Sequence, residues 1–261
     1  KFRFVSAVPQ VAKQEAEACG PSMWEWVEAS VWTERMLAAL GNGVKGGKWF
    51  SLIDKVYNPA TLQAAWKKVA SNRGAAGVDK ISIKRFRSNA QFYLEELERE
   101  LRSGSFQPSA VRRVHIPKDG KKTRPLGIPT VKDRIVQTAL KMVLEPIFDK
   151  EFLPISYGFR PGRGCKDALR EVDQLLKEGY TWVVDADVKS YFDSIPHDRL
   201  MERIKERVSD GKVLHLIKLF LKQDILEGMK LWNPTSGTPQ GAVVSTLVAN
   251  VYLHQLDLAL D

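Results

Sequence analysis

The chain has 261 residues, 44% hydrophobic and 27% charged, which suits a folded chain with a real core and excludes disorder, collagen and coiled coil as overall descriptions. Forty lysines and arginines against 31 acids give a net charge of +9, which points to a polyanionic partner. Two cysteines cannot build a disulfide framework, four scattered histidines lack zinc-ligand spacing, and no apolar run reaches the roughly 18–20 residues of a membrane span.

In chain order, Trp24–Leu40 has the apolar spacing of a helix, and Gly41–Lys48 breaks it. That glycine-rich stretch is not a phosphate-binding P-loop, because Asn42 stands where glycine is needed and Trp49 where serine or threonine is needed. Thr61–Ala70 and Phe92–Arg102 read as amphipathic helices. Val111–Ile116 and Thr123–Ile128 read as strands joined by a basic turn at Asp119–Gly120. From Arg102 to Arg134 there are nine lysines and arginines against two acids, punctuated by Pro and Gly, so this is a cationic hairpin rather than a solvated helix. Arg134–Phe148 predicts a largely buried helix, Ser156–Gly164 a loop and Asp167–Lys177 a helix. Tyr180–Val188 has the best strand pattern in the chain, followed by helices over Asp198–Val208 and Val213–Leu226 and a strand over Gly228–Trp232. Thr235–Gly241 predicts a turn that opens a helix running to the end. The irregular alternation suggests an α+β fold. The chain starts without Met and stops inside a helical pattern, which reads as a piece of a longer protein.

The chemistry concentrates in VVDADVKSYFDSI, where Asp185, Asp187 and Asp193 follow an apolar run. Residues two apart share a strand face, so Asp185 and Asp187 project together. Acids here are costly unless paired or bound to metal, but they also make ordinary helix caps, and by themselves the two readings are balanced. Nucleotidyl transfer needs carboxylates for divalent ions, cations for a triphosphate and a wall that senses the sugar. The chain supplies an acid-ended segment, a basic hairpin and a Gly-Thr-Pro-Gln-Gly turn.

Together, GAAGVDKISI (74–83), HIPKDGKKTRPLGIPTVKDRIVQTALKMVLEPIF (115–148), SYGFRPGRG (156–164), VVDADVKSYFDSIPHDRL (183–200) and GTPQGAVVSTLVANVYLH (237–254) closely resemble the fingers and palm of a group II intron-type reverse transcriptase, the kind also called a maturase. The resemblance covers roughly residues 50–260 and implies a right-hand polymerase: an N-terminal helical extension (1–50), fingers (51–180) and an incomplete palm (181–261) whose antiparallel sheet is packed by helices. It implies that Asp187 and the Val188 carbonyl bind metal, that Asp185 has only a supporting role, and that Phe192, with Tyr191 as its neighbour, is the aromatic gate beneath the incoming sugar. Lys118 and Arg124 would clamp the triphosphate, and Gln240 and Gly241 would line the nucleotide pocket. Arg112, Arg113, Arg160 and Arg163 are the arginines expected to meet nucleic acid.

Two Mg²⁺ ions, replaceable by Mn²⁺, and an RNA template, DNA primer and dNTPs follow from the same resemblance, as does a cytoplasmic, RNA- or nucleoid-associated location. Structured intron RNA and a second copy of the chain are further candidate partners, and a membrane is not. Two departures stand out. The family's second carboxylate element, Tyr-x-Asp-Asp, is not in these residues, nor is a thumb, so the chain by itself is expected to be inactive. Ser245-Thr246 replaces the usual Ser-Pro. An RNA-binding splicing cofactor, for which Trp24, Trp26, Trp32 and Trp49 could hold RNA, and a host-adopted relative in DNA repair are the alternatives.

Overall fold

The computed structural model describes residues 24–117 and 123–260. Lys118, the Asp119–Gly120 turn and residues 1–23 of the expected extension lie outside the described residues.

Helix α1 (Glu34–Asn42) starts where Thr33 caps it, its hydroxyl accepting from the Met36 amide at 3.4 Å. The helix expected from Trp24 therefore begins ten residues later, and Trp24–Trp32 runs through turns. Next come α2 (Ile53–Val56), α3 (Pro59–Ser71), α4 (Ile83–Ser88) and α5 (Ala90–Ser103). Asn58 and Pro59 start α3 by side-chain capping and a fixed φ, and left-handed Gly104 stops α5.

Strands β1 (Val111–Pro117) and β2 (Thr123–Ile128) pair antiparallel, with Arg112 opposite Ile128 and Ile116 opposite Arg124. Helix α6 (Val131–Asp149) follows, then α7 (Cys165–Lys177), the single turn α8 (Tyr191–Ser194), α9 (His197–Lys205) and α10 (Gly211–Leu221). The helix expected to reach Leu226 ends at Leu221, because β3 (Ile225–Glu227) pairs parallel with β1 and antiparallel with β4 (Lys230–Trp232). The sheet order is β2-β1-β3-β4, and α11 (Ser245–Leu260) closes the described chain. This is the mixed α+β architecture expected from the sequence.

Helix α6 is apolar on nearly every face because it is the centre of the core. Ile135, Ala139, Leu140, Val143 and Leu144 are fully buried between α3, α5 and α11. Each large side chain so buried contributes about 1.5–3 kcal/mol. Trp32 packs here too, donating its indole N–H to the Met142 carbonyl at 3.1 Å and meeting Trp49 edge-on at 5.4 Å. Trp32 is therefore core, not an RNA surface. Asp210 caps α10 with one carboxylate oxygen and takes the Leu52 and Ile53 amides with the other, which ties α2 to α10.

The strand expected over Tyr180–Val188 is not formed. These residues are irregular, exposed and without a ladder partner among the described residues, and Trp182 is 96% exposed. Strand propensity reports fit to a pleated surface, not the presence of a neighbour to pair with.

At the amino end of α6, Thr130 Oγ1 accepts from the Asp133 amide at 3.1 Å. The buried Asp133 carboxylate accepts from the Ser109 amide at 3.4 Å and from Gln223 Nε2 at 3.2 Å, joining α6 to the segments that lead into β1 and β3. Burial pushes its pKa up to about 7, with the charge of Asp79 adding to the rise and the bonds from Thr130 and Ser109 opposing it. Since the unfolded carboxyl titrates near 4, folding favours the protonated form. Its contribution is complete below about pH 4 and is lost as pH rises through about 7. Urea denaturation should show the wild type losing stability between pH 5 and pH 8, by on the order of 3 kcal/mol from this group, and Asp133→Asn should flatten that slope.

Candidate nucleotide and nucleic-acid site

The Gly237–Gly241 turn is held between two backbones. On one side, Gly237 (φ 81°) lies so close to α8 that an added Cβ would come 2.7 Å from the Phe192 carbonyl oxygen and from the Asp193 Cα. The Thr238 amide donates to Phe192 at 2.7 Å and the Gly237 amide to Ile195 at 2.8 Å. His197 Nε2 lies 2.7 Å from the Gly237 carbonyl, a contact that needs the proton on that nitrogen. On the other side, the Gly127 amide of β2 donates to the Gln240 carbonyl at 2.7 Å. A Cβ on Gly241 (φ 103°) would stand 2.3 Å from the Gly127 oxygen. Beneath the turn, Gln137 of α6 accepts from the Val243 amide at 2.8 Å.

This clamp brings the backbones of Phe192, of Gln240 and Gly241, and of the strand that carries Arg124 together. Arg124 is exposed, has no ion-pair partner among the described residues, and sits three residues along β2 from Gly127, about 10 Å. The two adjacent aromatics point differently. Tyr191 donates its hydroxyl to the Ala249 carbonyl at 2.7 Å, and burial holds its proton on more tightly than usual. The Phe192 ring is half-buried and meets Phe159 edge-on at 6.3 Å.

Asp185, Asp187 and Val188 lie on the exposed, unpaired stretch before left-handed Ser190. Among the described residues no group of three or more His, Cys, Asp or Glu could hold a metal.

Each of the four arginines expected to meet nucleic acid also makes contacts within the protein. Arg160 is buried; it donates to Asp149 Oδ1 at 2.7 Å and to the carbonyls of Asp149, Leu153 and Ser156. Arg163 donates to the Pro154 carbonyl and lies over the Tyr157 ring, with burial lowering its pKa. Arg112 donates to the Ala76 carbonyl at 2.8 Å. Arg113 lies 5.0 Å over Trp232 and 3.8 Å from Glu227. A rigid fork of five donors suits bridging carbonyls as well as phosphates, and sequence does not separate the two uses.

Sequence reasoning passed over a freer set: Lys67, Lys68, Arg73, Lys80, Lys84, Arg85 and Arg87. All are exposed and lack a carboxylate partner among the described residues. Residues 67–87 hold these seven cations against the single acid Asp79, a signal visible in the sequence but hidden by the Pro/Gly-marked run downstream. Lys68 also lines a pocket of about 210 Å³ with Asn72, Arg134, Thr138, Lys141 and Glu145.

The clamp makes a graded prediction. Gly241→Ala meets the Gly127 backbone and should lower stability by more than 2 kcal/mol, whereas Gly162→Ala (φ 67°, nothing within 4 Å) should cost only the left-handed strain of about 1–2 kcal/mol. Chemical denaturation of the two variants against wild type measures the difference.

Comparison with known proteins identifies the family. Residues 116–261, more than half of the chain, match the family described as Reverse transcriptase (RNA-dependent DNA polymerase). The chain is 38% identical over 212 residues to Protein YkfC of Escherichia coli (strain K12), covering 79% of this chain and 56% of that protein. It is 38% identical over 202 residues to the Group II intron-encoded protein LtrA of Lactococcus lactis subsp. cremoris, covering 76% and 33%. Nuclear intron maturase 3, mitochondrial, of Arabidopsis thaliana is 26% identical over 81% of this chain and 28% of its own length. The chain thus spans between about a quarter and a little over half of these relatives. Among solved structures, the partial Cas6-RT-Cas1--Cas2 complex matches with a TM-score of 0.54 and 26% identity, over 80% of this chain and 35% of that one. With its motifs, its clamp and these matches taken together, the chain belongs to the reverse transcriptase family, in its group II intron-type branch.

Proposed function

We propose that the protein containing this chain is an RNA-directed DNA polymerase, extending a DNA primer on an RNA template with dNTPs. The observation that carries the reading is the wall at the Gly237–Gly241 turn, where Phe192, Gln240, Gly241 and the Arg124 strand converge from three distant segments. In this reading Arg124, with Lys118 by its place in the resemblance, neutralises triphosphate charge. Gln240 and Gly241 shape the nucleotide pocket. Phe192 senses the sugar, supported by the Tyr191 hydroxyl being committed to Ala249 while the Phe192 ring is not so tied.

The metal reading is carried by Asp187 and the Val188 carbonyl. Their oxygen donors suit Mg²⁺, with Mn²⁺ as a substitute, and the exposed Asp187 has no ion-pair partner among the described residues. They supply part of a coordination shell, not a cage. The metal, when bound, would neutralise charge on the reacting phosphates. In this reading residues 181–261 belong to the palm, and the unpaired Tyr180–Val188 segment carries Asp187, its first metal-binding carboxylate. In the full-length protein, Asp187→Ala should abolish Mg²⁺-dependent primer extension while leaving RNA binding intact. Extension at the wild-type rate would reject the assignment.

A second role, RNA binding of the splicing-cofactor kind, is favoured by the free cations of residues 67–87. Backbone contact there releases counterions, so each lost phosphate contact lowers the salt slope of log K by about 0.7–0.9. RNA binding measured across a salt series should show that drop for Lys68→Ala and Arg85→Ala, and an unchanged slope for Arg113→Ala. No helix among the described residues is long and apolar enough to cross a membrane.

A further inference from the structure

Phe159 is in an unusual state. It has φ of 57°, a left-handed conformation that a bulky aromatic adopts only under constraint, yet its ring is 63% exposed. Core packing therefore does not explain it. The same loop contains Gly158 and Gly162, of which Gly162 does take a left-handed φ, so the loop had residues suited to that backbone next to the one that carries the ring.

The backbone on both sides is fixed. Asn250 of α11 donates to the Gly158 carbonyl at 2.7 Å. Arg160, the next residue on the other side, is locked by its bonds to Asp149, Leu153 and Ser156. Held between these anchors, the Phe159 ring reaches Phe192 edge-on, with centroids 6.3 Å apart and planes at 87°. That is a favourable geometry for an aromatic pair.

We propose that Phe159 is a positioning residue for sugar discrimination, buttressing the Phe192 ring so that it cannot swing away from an incoming 2′-hydroxyl. The inference rests on the reading of Phe192 as the sugar-sensing residue. The left-handed backbone aims the ring, and Arg160 and Asn250 maintain that aim. The buried Arg160 therefore serves the nucleotide pocket through Phe159 rather than by touching nucleic acid.

The test is single-nucleotide extension by the full-length polymerase on an RNA template, comparing kcat/KM for a dNTP and the matching rNTP. Phe159→Asn keeps a residue tolerant of left-handed φ and removes the ring. It should lower the dNTP preference about 2- to 12-fold, the equivalent of one aromatic pair, mainly through a lower KM for the rNTP. Phe159→Gly, which relieves the backbone and also lacks the ring, should do the same, and Phe159→Tyr should retain the wild-type ratio. In a Phe192→Ala background, Phe159→Asn should have no further effect. An unchanged ratio in both ring-deleted variants, while Phe192→Ala relaxes selectivity, would overturn the inference and leave the Phe192 reading standing. An equal drop in the Phe192→Ala background would overturn it too, by showing that Phe159 acts independently. If Phe192→Ala itself leaves the ratio unchanged, the underlying reading fails and the inference falls with it.

Discussion

The approach of two backbones at Gly127 and Gly241 sets the site. No side chain fits between β2 and the Pro-Gln-Gly turn, because a Cβ on Gly241 would sit 2.3 Å from the Gly127 oxygen. The same turn meets α8 through Gly237 on its other side. A five-residue segment thus fixes the distance between the strand that carries Arg124 and the turn that carries Phe192. Its own base is fixed in turn by Gln137 on the buried helix α6. Movement in the core of α6 would be felt at the nucleotide wall because packed interiors transmit strain.

The cations divide into two populations with different physical roles. Arg112, Arg113, Arg160 and Arg163 hold the protein together: each lies against a backbone carbonyl, a ring or a carboxylate. Arg160 is the extreme case, a buried charge paired with Asp149 and saturated by carbonyls, and losing such a partner costs about 3–5 kcal/mol. The exposed cations of residues 67–87 have no carboxylate ion-pair partner among the described residues. Net charge alone does not distinguish these populations, because both count equally toward +9.

The region around the acids behaves in the opposite way to the clamp. Helix α7 has no buried residue, and Leu169, Val172 and Leu176 stand exposed near the chain as it enters the unpaired segment with Trp182, Val183 and Val184. An amphipathic helix and an irregular run that both leave their apolar sides in water are elements whose packing partner is not among the described residues. The Gly237–Gly241 turn is therefore held by backbone contacts on both sides, whereas the segment carrying Asp185 and Asp187 has no such support among the described residues.

The sequence by itself determined the family, the α+β class, the pairing strands β1 and β2 and the buried α6, because these are carried by local period, turn chemistry and contiguous motifs. The resemblance also named Phe192 as the gate, with Tyr191 as its neighbour. Only the tertiary structure decided how each was used. It committed the Tyr191 hydroxyl to Ala249, spent four arginines on internal partners, ended α10 early so that β3 could join β1, and left Tyr180–Val188 without a ladder. Each of these depends on which distant backbone group lies within hydrogen-bonding reach, about 3 Å, and no local pattern of residues encodes that distance.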